Sequence, residues 1–438
     1  MSFSAAMSRA SFHRIRLEVL APLILPLRGA RALKVKALTK ALMLLSRLEV
    51  MVVGETTRIK YTTCRDGVTG VEVTKLTDDV GNTIHPYFTQ NLMTPDSEVI
   101  LLTSDRTGWW QLYRLNIPDG ELVQLTEDGN VFPHCPCLDG KHGVAYYWDG
   151  RFLKAVDIES FEIRIVYSIP PGFKPSILSI TPDGRYLAFA YTEDVPLSTL
   201  RGREYSAFLE HMYLRPRSVV VRIDLEKEEV LPVWGETEWI THVNISPVDP
   251  NIILFCHEGP WHLVQRMWIA RADTHEVWPL VPQKRYVERV GHEFFTNDGV
   301  VVAQYGRRST PSSNDWTYYD LFVRPDGSGL RMYRYPSKPP AHIKVNSKAS
   351  LAVGDRGYVT PDFKEGGAFI SLMKYNKDGT VDLKLLCRHD TSWLTQRSHP
   401  HPIFTPDDEY VIFTSDRGGR CNVYMAPGKW DEVSDHEA

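Results

Sequence analysis

A segment of the form Thr-Pro-Asp-Gly followed by an alternating apolar run recurs seven times along this chain. That recurrence constrains the fold more than any other feature. The segment begins at Thr94, Leu138, Thr181, Ser246, Thr296, Asn346 and Thr405, with starts 44, 43, 65, 50, 50 and 59 residues apart. Units of about 40–60 residues that each hold several short strands read as blades of a β-propeller. The clearest unit is 90–127, with a turn at Thr94–Ser97 and strands at Val99–Thr103, Trp110–Leu115 and Leu122–Leu125. The predicted fold is all-β: a seven-bladed propeller of four-stranded antiparallel blades. Val71–Leu76, which has no partner strands of its own, is expected to complete the seventh blade and close the ring. The long gap between Thr181 and Ser246 predicts an insertion at Leu200–Pro216, helical because EYSAFLEHMYL has helix-like apolar spacing.

The same repeat carries a column of polar residues. Four positions before each start stand Gln90, His134, Ile177, His242, His292, His342 and His401, so five of the fifteen histidines share one position. In a propeller this position lies on the innermost strand and rings one mouth of the central channel. That strand is a sheet edge, where Pro133, Pro400 and Pro402 are tolerated. His399 and His401 are two apart and so share a face.

A net charge of -4 suggests neither a nucleic-acid nor a membrane partner. Six cysteines without a C-x-x-C pair suggest a reduced, cytosolic protein. The chain is expected to divide into a basic extension (1–50), a propeller domain (51–430) that would carry any activity, and an acidic tail (431–438). Residues 1–50 carry nine Lys/Arg against Glu18 and Glu49. Three readings stand for them: a signal-like apolar run at Val19–Leu27, a basic leucine-rich leader, or a start at Met51.

His342, His399 and His401 on neighbouring inner strands have metal-ligand character, and Gln396 can add a neutral oxygen. Imidazoles suit Zn, Ni, Cu or Fe, and a mixed site suits Mn. With no acidic residue in the column, a divalent cation would keep its full charge for an anionic substrate. Taken singly, a strand histidine in a propeller channel is usually structural. In the fourth blade CHEGP (Cys256–Pro260) replaces the T-S-D-R of ordinary blades, bringing His257 and Glu258 to the same mouth, with Arg266 close behind. His292, in GHEFF, stands one blade from His342, where a cation's field would keep it neutral and able to act as a base.

Several stretches resemble the oligogalacturonate lyases, a family of seven-bladed propeller polysaccharide lyases. They are CHEGP with LVQRMW, GHEFF, TSWLTQRSHPHPIFTPDDEYVIFTSDRGG, VTGVEVTKLTDD and HPYFTQ. The resemblance covers about 55–430 and implies manganese held by His342, Gln396, His399 and His401. It implies His292 as base and Arg266 as its substrate-binding or charge-stabilising partner; His85, His257, Glu258 and Arg397 are the expected substrate contacts. The family pattern has an arginine immediately before the glutamine; here Thr395 stands there and Arg397 comes after it. The implied reaction is β-elimination of short oligogalacturonides to 5-keto-4-deoxyuronate. No nucleophile lies in a G-x-S-x-G setting, which argues against a peptidase or esterase. The alternatives are a non-enzymatic WD40-like scaffold and a metal-dependent hydrolase or epimerase of another sugar acid. His134 and His242 are expected to line the channel without an assigned role.

Overall fold

A computed structural model describes residues 52–197, 207–356 and 368–433. The N-terminal extension, the first part of the expected insertion and most of the acidic tail lie outside the described residues. Seven small antiparallel sheets succeed one another along the chain, which makes the fold a seven-bladed propeller. Their innermost strands are Thr83–Ile84, Cys137–Asp139, Ser179–Ile180, Ile240–Ile245, Glu288–Phe295, Ile343–Val345 and Ile403–Phe404.

Local chemistry explains why the repeat folds this way. In the turn of the first blade the Thr94 hydroxyl donates to Asp96 Oδ1 at 2.5 Å and accepts the Val99 N–H at 3.0 Å. Thr181, Thr296 and Thr405 repeat both contacts, and Asn346 takes over the acceptor role with its side-chain oxygen. A threonine and an aspartate two residues on therefore close the turn from their own side chains, and the alternating run beyond it becomes the second strand. The blades are held by apolar clusters between neighbouring sheets. One joins the fully buried Trp148 of the second blade to Phe189 of the third, edge-on at 5.1 Å between ring centroids. Burying an aromatic ring of this kind contributes about 2–3 kcal/mol.

Three blades depart from the four-stranded expectation, the third because its inner edge is split into Phe173–Pro175 and Ser179–Ile180, both paired with Tyr186–Glu193. The first carries Thr56–Arg58 as a fifth, outermost strand against Glu121–Gln124. In the seventh, Glu72–Lys75 pairs with Asn422–Pro427, and Thr62–Arg65 pairs in turn with Glu72–Lys75. The strands added to the first and seventh blades come from the chain just before the first blade.

The register of the second blade also differs from the sequence reading. In the other six blades the repeat start donates its N–H to a residue at the beginning of the second strand, as Thr94 does to Val99 at 3.0 Å. In the second blade the residue opposite that position (Val144) is Asp139, not Leu138. Four residues upstream of Asp139 stands Cys135, so His134 lies one residue off the column. The insertion includes a short helix, Phe208–Leu214. No helix among the described residues is long and apolar enough to cross a membrane.

Candidate active site

Four column histidines, from blades four to seven, gather at one mouth of the channel. Two sit in β-bulges of adjacent blades, one residue out of step with each other. Thr241 and His242 together oppose one residue of the next strand, as do His292 and Glu293. A bulge re-aims side chains that a regular pleat would alternate. His292 has φ 55° and His401 has φ 47°, the left-handed region that non-glycine residues seldom occupy. Gly291 makes room for the fifth-blade bulge, because a β-carbon there would overlap the Trp261 indole.

His342, His399 and His401 offer ring nitrogens that all lie within 4.8 Å of one another, and all three residues are buried. Gln396, on a single 3-10 turn held by reciprocal Thr395–Ser398 contacts, brings its amide to 3.2 Å from His401 Nε2. His342 Nδ1 lies 2.7 Å from Asp355 Oδ2, and the His342 backbone N–H donates to Asp355 Oδ1 at 2.6 Å. The carboxylate accepts the Nδ1 proton, which turns the Nε2 lone pair of His342 toward the cluster. Burial pushes the Asp355 carboxyl up to about 7, while the backbone N–H groups of His342 and His401 pull it back. Burial also lowers His342 and His399 to about 3, so both rings are neutral ligands near pH 7. Three neutral buried imidazoles, one oriented by a carboxylate, together with an adjacent amide, fit a divalent cation of borderline character.

The His292 ring packs 4.5 Å from the His342 ring and edge-on against Trp261 at 4.6 Å. Burial, then the neighbouring His342, holds its pKa well below the usual value, so the ring is neutral near pH 7. Arg266 stands on the other side, only 1% exposed. It donates through Nε to Glu293 Oε2 at 2.9 Å, through Nη2 to Glu293 Oε1 at 3.3 Å and to His242 Nδ1 at 3.1 Å, and through Nη1 to Glu258. Four of its five N–H donors are thus taken. Burial raises both glutamates, but Arg266 and His242 together, with the Thr241 hydroxyl at Glu258, more than offset that, and both end below their ordinary range.

A cavity of about 690 Å³ opens over these groups. His292, His342, His399, Gln396, Arg266 and Glu258 all line it. One wall comes from the insertion, where Phe208 and His211 pack on Trp239.

Residues 51–430 match the sequence model of a family described as oligogalacturonate lyase. The chain belongs to the oligogalacturonate lyase family. It is 28% identical over 397 residues to the oligogalacturonate lyase of Dickeya dadantii, covering 86% of this chain and 98% of that one. It is 27% identical to the oligogalacturonide lyase of Pectobacterium atrosepticum, with the same coverage. Among solved structures it is similar to an oligogalacturonate lyase in complex with manganese (TM-score 0.77, 27% identity, 87% of this chain and 99% of that one). The oligogalacturonate lyase of Vibrio parahaemolyticus also matches, with TM-score 0.77, 26% identity, and 87% and 100% coverage. Membership in a lyase family weighs against the WD40-like scaffold reading.

Against this oligogalacturonate lyase framework, three expected substrate contacts need correction. His257 ends its strand facing away from the cavity: its Nε2 lies 2.7 Å from Glu236, and its ring packs on Trp268. Its neighbour Glu258 takes the cavity side, as alternation along a strand requires. His85 is 1% exposed, with Nδ1 on the Pro86 carbonyl and Nε2 on the Pro400 carbonyl, so it braces the seventh blade's inner strand instead of lining the cavity. Arg397 is exposed, and its guanidinium lies over the Trp110 ring, outside the cavity lining. Arg266 reaches the cavity, but as a guanidinium already compensated by two carboxylates.

Other residues of the site escape the sequence reading. Asp355 and Gln304 occupy one position, four residues beyond the second-strand residue that accepts the repeat start's N–H, across from the histidine column. The other blades place Thr103, Trp148, Ala190, Cys256 and Thr414 there. Gln304 Oε1 lies 3.1 Å from His292 Nδ1. This second column sits in the same repeat register and was legible from it. Arg289 and Lys338, the basic side chains that line the cavity besides Arg266, lie outside either column, so the repeat does not mark them. Tyr87 belongs to an excursion of the first blade's inner strand and puts its ring 5.0 Å from His401 and 5.2 Å from His242.

Proposed function

We propose that this protein is a metal-dependent lyase that cleaves short oligogalacturonides by β-elimination to 5-keto-4-deoxyuronate, in the breakdown of pectin and in the cytoplasm. The observation that carries this reading is a neutral, buried histidine beside a three-imidazole cluster in one cavity. All six cysteines carry free thiols, which supports a reducing compartment.

Elimination begins at C5 of a uronate, where the proton is weakly acidic because it is alpha to the carboxylate. His292 takes that proton, the electron pair becomes the C4–C5 double bond, and the C4–O bond breaks. The departing oxygen is protonated from solvent. When bound to His342, His399, His401 and Gln396, a divalent cation (manganese by family resemblance) would neutralise the carboxylate and stabilise the enolate-like charge. Arg289 and Lys338 supply positive charge on the cavity wall for the other carboxylates of the substrate. Arg266, anchored by Glu258 and Glu293, keeps one N–H and a fixed orientation. The cavity's size is that of a small-ligand pocket and favours short chains over a polymer.

His292→Ala should lower kcat by about 10²–10⁴-fold while manganese binding persists. Normal turnover with metal bound would remove His292 from the base role.

A further inference from the structure

The second-strand column opposite the histidines suggests a role for Gln304. We infer that Gln304 is a positioning residue for the elimination, holding His292 in the single tautomer that presents an unprotonated Nε2 to the cavity. The inference rests on the proposed lyase activity for its kinetic consequence but not for its geometry.

Two contacts fix the proton. Gln304 donates its amide N–H to the Pro340 carbonyl at 2.7 Å. A carbonyl oxygen can only accept, so the amide nitrogen must be the end that faces Pro340. That leaves Oε1 facing His292 Nδ1, 3.1 Å away. An amide oxygen also only accepts, so the proton must sit on Nδ1, and the lone pair falls to Nε2. The chain of contacts runs from a rigid Pro339–Pro340 segment through one 5% exposed side chain to the ring.

Packing prevents the ring from escaping this constraint. Trp261 meets it edge-on at 4.6 Å, His342 lies at 4.5 Å and Phe88 at 5.9 Å, and the backbone at His292 is held at φ 55° in the bulge. The neighbouring blade applies the same device. There Asp355, at the equivalent position, accepts the Nδ1 proton of His342. One position in the repeat thus sets the tautomer of two adjacent column histidines, an amide beside the base and a carboxylate beside the cluster. Without an acceptor at Nδ1, the proton is free to move to Nε2, where it would block proton abstraction.

Two variants separate the acceptor from the tether. Gln304→Glu keeps an oxygen toward Nδ1 but loses the donor to Pro340; Gln304→Met loses both. In the manganese-loaded enzyme acting on digalacturonate, Gln304→Met should lower kcat roughly 10- to 100-fold. Its KM and manganese affinity should stay within about twofold of wild type. Gln304→Glu should retain most of the kcat. Equal losses in both variants, or no loss in Gln304→Met, would overturn the inference. Nitrogen-15 spectra of histidine-labelled protein loaded with Zn²⁺ read the tautomer without turnover, with His292 assigned by its absence in His292→Gln. The Nδ1–H pattern in wild type supports the inference, and an Nε2–H pattern overturns it. An inactive wild type would count against the lyase reading alone, since the spectrum still decides for Gln304.

Discussion

Replacing Asp355 by asparagine changes one atom beside the imidazole cluster, and the surrounding hydrogen bonds dictate its effect. Asp355 accepts the His342 backbone N–H at 2.6 Å, His342 Nδ1–H at 2.7 Å and the His401 backbone N–H at 3.3 Å. An asparagine has one oxygen. Neither backbone N–H can change its role, so the oxygen stays on the shorter contact, that to His342, and the amide NH₂ takes the place of Oδ2, facing His342 Nδ1 and giving up the weaker 3.3 Å contact of the His401 N–H. Nδ1 must then accept, and its proton moves to Nε2, the nitrogen that would ligate. Binding a cation would first require displacing that proton. Losing an outer carboxylate of this kind costs roughly 10- to 100-fold in metal affinity, or about 1.4–2.7 kcal/mol. The fold should survive, because Asp355 is fully buried with its carboxyl pushed up to about 7, and a neutral amide sheds that desolvation cost. Calorimetric titration of the metal-free variant with Mn²⁺ checks affinity, and a melting curve checks the fold. Wild-type affinity in a folded Asp355→Asn protein would refute the reasoning.

Arg266→Met should destabilise the protein by about 3–5 kcal/mol, because it strands two buried carboxylates. In the wild type, Glu258 and Glu293 titrate below the unfolded value of about 4.3, so their stabilisation is full above that pH and fades as pH falls through the folded values. In Arg266→Met, burial opposed only by His242 and the Thr241 hydroxyl shifts both upward. The gap in melting temperature between the two proteins should therefore narrow from pH 7 to pH 4, and a pH-independent gap would contradict this. Arg289→Ala should raise KM by about tenfold with kcat unchanged, the mark of uniform substrate binding; steady-state kinetics on digalacturonate check it. His257→Gln should leave KM and kcat unaltered, since His257 faces Glu236 instead of the cavity, and a raised KM would restore it to the site.

Much of the architecture was legible because its determinants are local. The Thr-x-Asp turns close through their own side chains, and each leads into an alternating strand, so seven repeats read as seven blades. The insertion between Thr181 and Ser246 was legible for the same reason, as an excess of length over the period. Site residues on the column were legible too, since His292, His342 and His401 inherit their place from the repeat. What escaped depends on register. In the second blade a shift of one residue moves the column to Cys135, and one residue is enough to change which face a side chain takes. His257 and Glu258 are adjacent, yet only Glu258 lines the cavity, a choice made by where the strand ends. His85 lies in a stretch that leaves its strand altogether. Asp355 and Gln304 were visible in principle, because they stand at one repeated position; they look unremarkable until the histidine column gives that position a partner.

The most direct test of the account is the mass of the products. Digalacturonate is incubated with metal-stripped protein, with and without added Mn²⁺, and the products are weighed by mass spectrometry. With Mn²⁺ only, one galacturonate should appear together with one uronate lighter by a water molecule. Two galacturonates would mean hydrolysis, and full turnover in the stripped protein would mean that the imidazole cluster does not serve a metal; either result would contradict the account.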